Sequence, residues 1–405
     1  MKNYLIYWQR MVACSLKGSV WYRLWLLFLT AFVLWGAFNY YHHLKYGLIT
    51  TNMSDAVSWG IGIANFVFFV GIAATAVILV FPAYIFKRED LKSVVIIGEL
   101  LAFIAIMMCL LFIFTDIGHP ERFWHLLPVI GRLNIPNSLL AWDVIVFNVY
   151  LVLNLHIPGY LLYQKYRGKP AKKIFYLPLT WISIFFAISI HTVTAFLLVG
   201  LGARYFWNTS ILAPRFLISA FASGPALLII IFLVLSHFTT LKIQSSIIDY
   251  LRKVMMVTLP VNLFLFLCEF FKEIYPNTLH AASAQYLFFG LDGHNMLTKW
   301  IWSAVFMNCV ATVLILIPKW SKQNKILIAC CVLTIVGIWI EKGMGLIFPG
   351  FIPTPLGEIV EYSPNLGEIA VSLGVTALGA LIFTLMTKAA VWVLTDKLAH
   401  NVPPQ

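Results

Sequence analysis

Acidic, basic and imidazole side chains stand singly inside long apolar stretches of this sequence. Glu99, Asp143 and His191 each lie in a segment that is otherwise mostly apolar. An ionisable group in hydrocarbon is costly unless it is paired or wetted, so each of these residues is a candidate for function. Imidazole titrates near neutral pH, and a desolvated carboxylate can also exchange protons there. These residues therefore indicate proton uptake and release inside a membrane.

The composition places the chain in a bilayer. The 405 residues are 61% hydrophobic and only 11% charged, about half the charged fraction of an ordinary soluble domain. That balance excludes a soluble globular protein, and the apolar content excludes intrinsic disorder. The six cysteines form no CxxC, CxxCH or Cys/His motif, so the sequence encodes no iron–sulfur ligand set and no covalent haem attachment.

Ten apolar segments are long enough to cross roughly 30 Å of hydrocarbon, which takes about 20 helical residues. We number them as spans 1 to 10, at residues 21–42, 56–86, 93–115, 138–164, 174–201, 213–240, 252–274, 298–318, 324–347 and 366–394. The predicted fold class is an all-α integral membrane protein in a single domain, 1–405. Its expected arrangement is two four-helix bundles, at about 56–201 and 213–347, flanked by the first and last helices.

The basic residues predict the orientation of the chain. The N-terminus, the even-numbered connections and the C-terminal end hold 20 of the 28 lysines and arginines. The positive-inside rule then places both termini in the cytoplasm and the chain in the cytoplasmic membrane. Topology therefore accounts for most of the net charge of +12, and nucleic-acid binding is not expected. No signal-peptide cleavage site is recognised, so span 1 is expected to remain in the mature chain.

The polar residues crowd toward the predicted outer side, where the longer connections also lie. The direction in which each span runs sets the depth of its residues, and Glu99 is the one acid expected in the inner half. The expected lining of an outer cleft is Trp59, Asn65, Asp116, His119, Arg122, Trp124, Asp143, His191, Arg204, Arg215, Glu269 and Glu341. Such a charged, aromatic-lined cleft suits a quinone head-group and its apolar tail.

A quinol needs hydrogen-bond partners at its two oxygens and a group that accepts protons as electrons leave. His191 and either Asp116 or Asp143 match these catalytic roles, while Trp59 and Trp124 are expected to stack on the ring. Other residues in the outer cleft would contact the head-group or shape its electrostatics. Glu99 and Asp143 are candidates for a proton path across the membrane.

Structural explanations stay open beside these roles. An aspartate and arginine in a membrane can simply join helices, which applies to Asp143 and Arg215. His191 can make an interhelical hydrogen bond. In the loop Asp116–Trp124, the aspartate can cap a helix and the arginine can extend its charged end to the membrane surface. Haem ligation by His156 and His237 is geometrically conceivable, although no histidine partner at matching depth is found for His191.

Four motifs carry a resemblance to a known family. They are Asp116-Ile-Gly-His-Pro-Glu-Arg-Phe-Trp124, Ser189-Ile-His-Thr-Val-Thr-Ala-Phe196, Ala213-Pro-Arg-Phe216 and Ser219-Ala-Phe-Ala-Ser-Gly-Pro-Ala226. With these motifs the chain resembles the NrfD/PsrC family of quinone-interacting membrane subunits, in its ten-helix branch. The resemblance runs from Trp59 to the connection before span 10.

That resemblance implies partners and cofactors that the residues alone do not. It implies a menaquinone site near the outer face, no haem or metal in this chain, and a docked ferredoxin-like iron–sulfur subunit among further haem-containing and iron–sulfur subunits. The site residues that carry over most directly are Asp116, Asp143 and His191. The family often has arginine where this chain has His119.

The resulting hypothesis is a subunit that exchanges electrons between menaquinol and an outward-facing iron–sulfur partner, with quinol oxidation or quinone reduction occurring in this chain. A secondary transporter would also have ten helices and buried charges, but it predicts discontinuous helices meeting at the bilayer midplane. A membrane anchor without quinone chemistry is the third alternative. A co-purifying quinone and partner would separate the first hypothesis from the other two.

Overall fold

The computed structural model describes residues 2–127, 130–276 and 278–399. Within them, ten helices are long and apolar enough to cross a membrane, by length and composition. Spans 1 to 10 are Val20–Tyr46, Ile61–Tyr84, Glu89–Asp116, Leu139–Tyr166, Lys173–Val199, Leu212–Phe238, Ser245–Ile274, Thr298–Leu316, Asn324–Phe351 and Leu366–Leu394. The described residues contain no β-strand. The prediction of an all-α protein with ten spans is confirmed.

Shorter helices occupy the termini and connections. A further α-helix, Lys2–Leu16, precedes span 1, and another, Ala282–Phe289, lies between spans 7 and 8. Short 3₁₀ segments lie in the connections at Leu48–Thr50, Pro120–Leu126, Tyr205–Trp207 and Leu279–Ala281. These segments are on the predicted outer side, so the longer outward connections are structured.

The spans pack in two closed rings of four. In one ring span 2 packs on span 3, span 3 on span 4, span 4 on span 5, and span 5 again on span 2. In the other ring span 6 packs on span 7, span 7 on span 8, span 8 on span 9, and span 9 again on span 6. The rings meet mainly through span 2, which contacts spans 6 and 9, and span 5 also contacts span 6. The predicted bundles at about 56–201 and 213–347 stay a prediction, which this packing supports.

Spans 1 and 10 form a pair beside the first ring. They approach closely because Gly36 and Gly374 face each other, and a Cβ atom on Gly36 would lie 2.6 Å from the Cα atom of Gly374. Small residues permit such backbone contact between membrane helices. Span 10 also packs on span 3, so the pair borders the first ring.

Two spans depart from regular α-helix. Span 2 is interrupted at Ala74, where Ile61–Ala73 ends and Thr75–Tyr84 begins, and the hydroxyl of Tyr150 donates to the carbonyl of Ala73 at 3.2 Å. Span 9 contains a π-helical turn at Trp339–Met344. Wide turns of this kind occur frequently at functional sites, and this one carries two neighbouring charged residues.

Two of the prolines inside the helices, Pro82 and Pro225, are compensated by hydroxyl groups from span 7. Pro82 cannot donate to the carbonyl of Ile78, and Tyr250 donates to that oxygen instead at 3.0 Å. Pro225 likewise frees the carbonyl of Phe221, which accepts from Thr258 at 2.9 Å. In hydrocarbon every freed backbone group needs such a substitute partner.

One carboxylate joins two of the outward connections. Glu361 accepts hydrogen bonds from the backbone N–H of Met296 at 2.8 Å, the hydroxyl of Tyr286 at 3.0 Å and the ring of His294 at 3.2 Å. Burial alone would raise the pKa of Glu361, but these hydrogen bonds outweigh it and hold the pKa below its usual value. The connection before span 10 is thereby fixed to the connection before span 8.

Candidate functional site

Asp116 lies in a pocket at the predicted outer end of the spans. The pocket is partly open to solvent and lies where the end of span 3 meets span 2 and the flanking pair, spans 1 and 10. Its walls include Gly62, Asp116, Glu368 and Ser372. A Cβ atom on Gly62 would lie 3.0 Å from Oδ1 of Asp116, so glycine is what leaves room beside this carboxylate.

Both carboxylate oxygens of Glu368, in the wall of this pocket, accept hydrogen bonds from protein groups. One of its oxygens accepts from the hydroxyl of Tyr362 at 2.6 Å, and the other accepts from the backbone N–H groups of Asn52 at 3.0 Å and Asn365 at 2.9 Å. Among the described residues, by contrast, no hydrogen-bond partner contacts the carboxylate of Asp116. That carboxylate is the one available to a ligand.

Asp143 of span 4 and His191 of span 5 are both buried in the first ring, and neither lines that pocket. Asp143 is buried and accepts from Thr194 Oγ1 at 3.2 Å. His191 is 1% exposed, its Nδ1 lies 3.2 Å from the carbonyl of Ala187, and its Nε2 has no partner among the described residues. A buried imidazole nitrogen left unpaired is costly unless a water or ligand reaches it.

Arg215 is the centre of a polar network in the second ring. Its guanidinium forms an ion pair with Glu269 and a second one with Glu341, the latter at 2.9 Å. The other oxygen of Glu341 accepts from the amide of Asn308 at 2.7 Å. One residue from each of spans 6, 7, 8 and 9 therefore takes part. This network borders a second pocket, which is lined by Phe266 and other aromatic residues.

Lys342 follows Glu341 in the π-helical turn and faces the junction of the two rings. It is 4% exposed, its Nζ lies 3.3 Å from the carbonyl of Phe216, and a Cβ atom on Gly71 of span 2 would lie 3.2 Å from the same nitrogen. His191 and Arg215 are among its electrostatic neighbours. The lysine thus stands between the histidine of one ring and the ion network of the other.

Trp59, Asn65 and Arg204 contribute to the contact between the rings. The ring of Trp59 stacks on Trp207 with 5.2 Å between centroids, and Asn65 Oδ1 accepts from the indole of Trp339 in span 9 at 2.8 Å. The guanidinium of Arg204 lies 4.9 Å from the ring centroid of Phe351. These side chains are occupied by protein partners at the outer end of the interface between the rings.

His119, Arg122 and Trp124 lie on an exposed surface. They belong to the connection between spans 3 and 4, where the ring of His119 lies 2.8 Å from Glu121 and Trp124 stacks on His125. Trp124 is 43% exposed. In this arrangement none of the three lines the Asp116 pocket.

Glu99 is buried in the first ring, in the half of span 3 that the sequence predicts to be the inner one. It is 2% exposed, and its Oε2 has no hydrogen-bond partner among the described residues. Tyr84 and Tyr150 are its electrostatic neighbours. A buried polar atom without a partner needs a water molecule or a function to account for it.

The structure does not bring the predicted site residues into one cleft. It divides them among the Asp116 pocket, the buried pair Asp143 and His191, the Arg215 network with Glu269 and Glu341, the contact between the rings and the exposed outer surface. Asp143 and Arg215 contact other partners and not each other, because carboxylates within the second ring satisfy the arginine. His156 and His237 are both exposed on their helices.

Sequence reasoning missed two residues, His43 and Lys342. His43 lines the Asp116 pocket and is 7% exposed, but span 1 was predicted to end one residue earlier. Lys342 carries a signal in the sequence, since it follows Glu341 inside an apolar run. Within the residues that the structure describes, no group of three or more His, Cys, Asp or Glu side chains could hold a metal ion.

The fold and these sites define a multi-pass membrane protein with pockets, lined by titratable side chains, at one end of its helices. The family model for the polysulphide reductase NrfD family matches residues 49–353, more than half of the chain. The chain therefore belongs to the NrfD family of integral membrane proteins.

Curated relatives agree with this assignment over nearly their whole length. One of the selenate reductase subunits of Mesobacillus selenatarsenatis is 25% identical, with 90% of this chain and 92% of the relative covered. The Hdr-like menaquinol oxidoreductase integral membrane subunit of Archaeoglobus fulgidus is 23% identical, with coverages of 91% and 93%. The menaquinone reductase integral membrane subunit of Nitratidesulfovibrio vulgaris is 24% identical, with coverages of 92% and 91%.

We predict that Arg215→Met strongly destabilises the protein. The substitution leaves Glu269 and Glu341 buried without their cation, and breaking a buried ion pair in this way typically costs about 3–5 kcal/mol. Thermal unfolding of the purified protein in detergent measures the effect. The matched control is Arg122→Met on the exposed outer connection, which should leave the midpoint unchanged. Equal midpoints for the two variants would contradict a structural role for the network.

Proposed function

We propose that this chain is the quinone-reactive membrane subunit of a multi-subunit respiratory oxidoreductase. It exchanges electrons between menaquinol or menaquinone and an iron–sulfur subunit on the outer face of the cytoplasmic membrane. The two relatives from Archaeoglobus and Nitratidesulfovibrio, whose names specify menaquinol oxidoreductase and menaquinone reductase subunits, support this proposal. The observation that carries it is the unpaired Asp116 carboxylate in a pocket at the outer end of the spans.

The Asp116 pocket fits the needs of a quinol head-group. A quinol releases two protons and two electrons on oxidation, and a carboxylate that no protein donor contacts can accept a proton from a hydroxyl within reach. The pocket wall also contains Leu48, Ile61 and Val371, which suit an apolar ring. Asp116 therefore binds the head-group and accepts one proton, while the electrons pass to the iron–sulfur subunit.

The Asp143–His191 pair lies deeper than this pocket in the first ring. We propose that it transfers protons between the head-group and the interior, because the His191 Nε2 atom is free to bond to water. Glu99 would extend such a path toward the cytoplasmic side. Arg215, Glu269 and Glu341 hold the second ring together in this proposal and do not contact the ring of the quinone.

The exposed outer connections form the proposed dock for a ferredoxin-like iron–sulfur subunit. Phe123 is 52% exposed, Trp124 43% and Leu356 86%, and these apolar side chains are accompanied by the cation Arg122. Further haem-containing and iron–sulfur subunits would join the complex through that partner. The selenate reductase and putative dimethyl sulfoxide reductase relatives are also named as subunits.

A finer assignment rests on the sequence resemblance. The motifs are most like those of DsrP, the membrane subunit of the DsrMKJOP complex linked to sulfite reduction, so we propose a role in dissimilatory sulfur metabolism. Both termini would then lie in the cytoplasm. Coupling of electron transfer to proton translocation is part of the same proposal.

The proposed function is tested by extracting quinones from the gently solubilised protein and identifying them by mass, beside an absorption spectrum and a gel for co-purifying subunits. We expect menaquinone and an iron–sulfur partner. If neither a quinone nor a partner is found, the proposal fails and the transporter alternative is tested by substrate uptake.

We predict that Asp116→Asn lowers quinol-dependent reduction of the iron–sulfur partner by about 100-fold, because a positioned proton acceptor typically contributes about 10²–10⁴-fold. The complex should remain assembled, since no described partner depends on this carboxylate. The rate is measured with menadiol as donor. Asp55→Asn changes an exposed acid in the neighbouring connection and should behave as wild type, whereas wild-type turnover in Asp116→Asn would remove this residue from the site.

We predict that Glu99→Gln alters proton uptake more than electron transfer. The substitution keeps the size of the buried side chain and removes its capacity to carry a proton. Protons moved per electron are measured in proteoliposomes that contain the whole complex. Glu89→Gln, at the exposed start of the same helix, is the control, and an unchanged proton stoichiometry in Glu99→Gln would leave Glu99 with a structural role only.

A further inference from the structure

His43 is a second titratable side chain that faces the Asp116 pocket. It comes from span 1, which lies outside both rings, and it is 7% exposed. A Cβ atom on Gly367 would lie 3.1 Å from His43 Nε2, so the imidazole lies against the start of span 10. The pocket wall includes His43 and Asp116 together. Two separate parts of the fold therefore bring a base to the same space.

Three of the other polar side chains of this pocket, Glu368, Thr51 and Thr115, are already engaged, while no hydrogen bond joins the hydroxyl of Ser372 to another described residue. Glu368 accepts three hydrogen bonds. The hydroxyls of Thr51 and Thr115 donate to the backbone carbonyls of Leu48 and Phe112, respectively. Among the described residues, neither the imidazole of His43 nor the carboxylate of Asp116 has a hydrogen-bond partner. These two groups are the bases of the pocket that a ligand can address.

A quinol presents two hydroxyl groups on opposite sides of its ring, and a single carboxylate reaches one of them. An imidazolium formed at His43 would face the Glu368 carboxylate, which is among its electrostatic neighbours. That carboxylate is held in place by Tyr362 and two backbone N–H groups, so it offers a fixed negative charge to the protonated histidine. The pocket therefore contains two bases, Asp116 and His43, each of which can receive a proton.

We infer that His43 is the second proton acceptor of the quinol pocket, together with Asp116. This inference rests on the proposed function. One O–H bond of the quinol breaks with its proton going to Asp116, and the other breaks with its proton going to an imidazole nitrogen of His43. The two electrons reduce the iron–sulfur subunit, and quinone leaves the pocket. Both residues then release their protons to water at the outer face, and quinone reduction runs through the same steps in reverse.

This assignment gives the flanking helices a chemical role. Span 1 supplies His43, span 10 supplies Glu368 and Ser372, and the first ring supplies Asp116 and Gly62. The site is completed only where the pair of flanking helices meets the ring. A structural anchor would need no histidine at this position.

The test compares His43→Gln with His42→Gln in the intact complex. His42 is the preceding residue on the same helix, is exposed and lies against the ring of Tyr46, so it controls for loss of an imidazole from span 1. Menadiol is the donor, and bleaching of the iron–sulfur absorbance of the partner reports turnover. We expect kcat of His43→Gln to fall at least about 10-fold, with a smaller change in KM, while His42→Gln matches wild type.

The pH profile distinguishes proton acceptance from packing. Glu368 of span 10 and His42 of span 1 are the electrostatic neighbours of His43, and Asp116 of span 3 lines the same pocket. Tyr362 contacts Glu368. A base must be unprotonated to accept, so kcat of the wild type should decline on the acid side with contributions from Asp116 and His43. The decline should be shallower in His43→Gln. His43→Asn is the second variant if the glutamine variant assembles poorly.

The outcomes separate this inference from the proposed function. If wild type does not oxidise menadiol, the proposed function fails and this inference fails with it. If wild type is active and Asp116→Asn is impaired, but His43→Gln and His43→Asn keep wild-type kcat and the full acid-side decline, only the role of His43 is overturned. A loss of kcat in His43→Gln without a change in the pH profile also overturns proton acceptance by His43.

Discussion

The ion network around Arg215 is the interaction on which the second ring depends. A lone guanidinium or carboxylate in hydrocarbon would be prohibitive, so each charge there fixes the position of the helix that brings its partner. Spans 6, 7, 8 and 9 each contribute one member. The network therefore determines which faces of these four helices point inward, and the aromatic side chains around the second pocket pack against that arrangement.

The two rings differ in how their charged groups are paired. In the second ring Arg215, Glu269 and Glu341 pair with one another, although Glu269 Oε1 and Asn308 Oδ1 there also lack a hydrogen-bond partner among the described residues. In the first ring Glu99 and His191 each retain a buried atom without a protein partner, and the pocket beside it holds the unpaired Asp116. Buried polar atoms without a hydrogen-bond partner lower the stability of the fold, but they leave these side chains available for proton exchange. Lys342 stands at the junction, where it brings a positive charge close to His191.

Hydropathy predicted the ten spans, because bilayer thickness dictates helix length. The same reasoning could not assign partners, since a span gives the depth of a residue but not its direction around the helix axis. Asp143 and Arg215 have similar depth but belong to different rings. His43 was missed because polar residues continue span 1 for another turn, to Tyr46. The π-helical turn that separates the directions of Glu341 and Lys342 leaves no periodic signal in the sequence.

The hydroxyls of Tyr250 and Thr258 restrict how the helices can move. Each bonds to a carbonyl that a proline has left free, in span 2 and in span 6 respectively. If either helix slid along span 7 by one turn, about 5.4 Å, its free carbonyl would lose the hydroxyl that bonds to it. Hydrocarbon contains no water to take the place of that hydroxyl. Axial translation is thus the costly motion, whereas a tilt about these points keeps the bonds. Span 7 therefore restricts axial movement of a helix in each ring. A rearrangement during turnover that keeps these two hydrogen bonds tilts the helices about them.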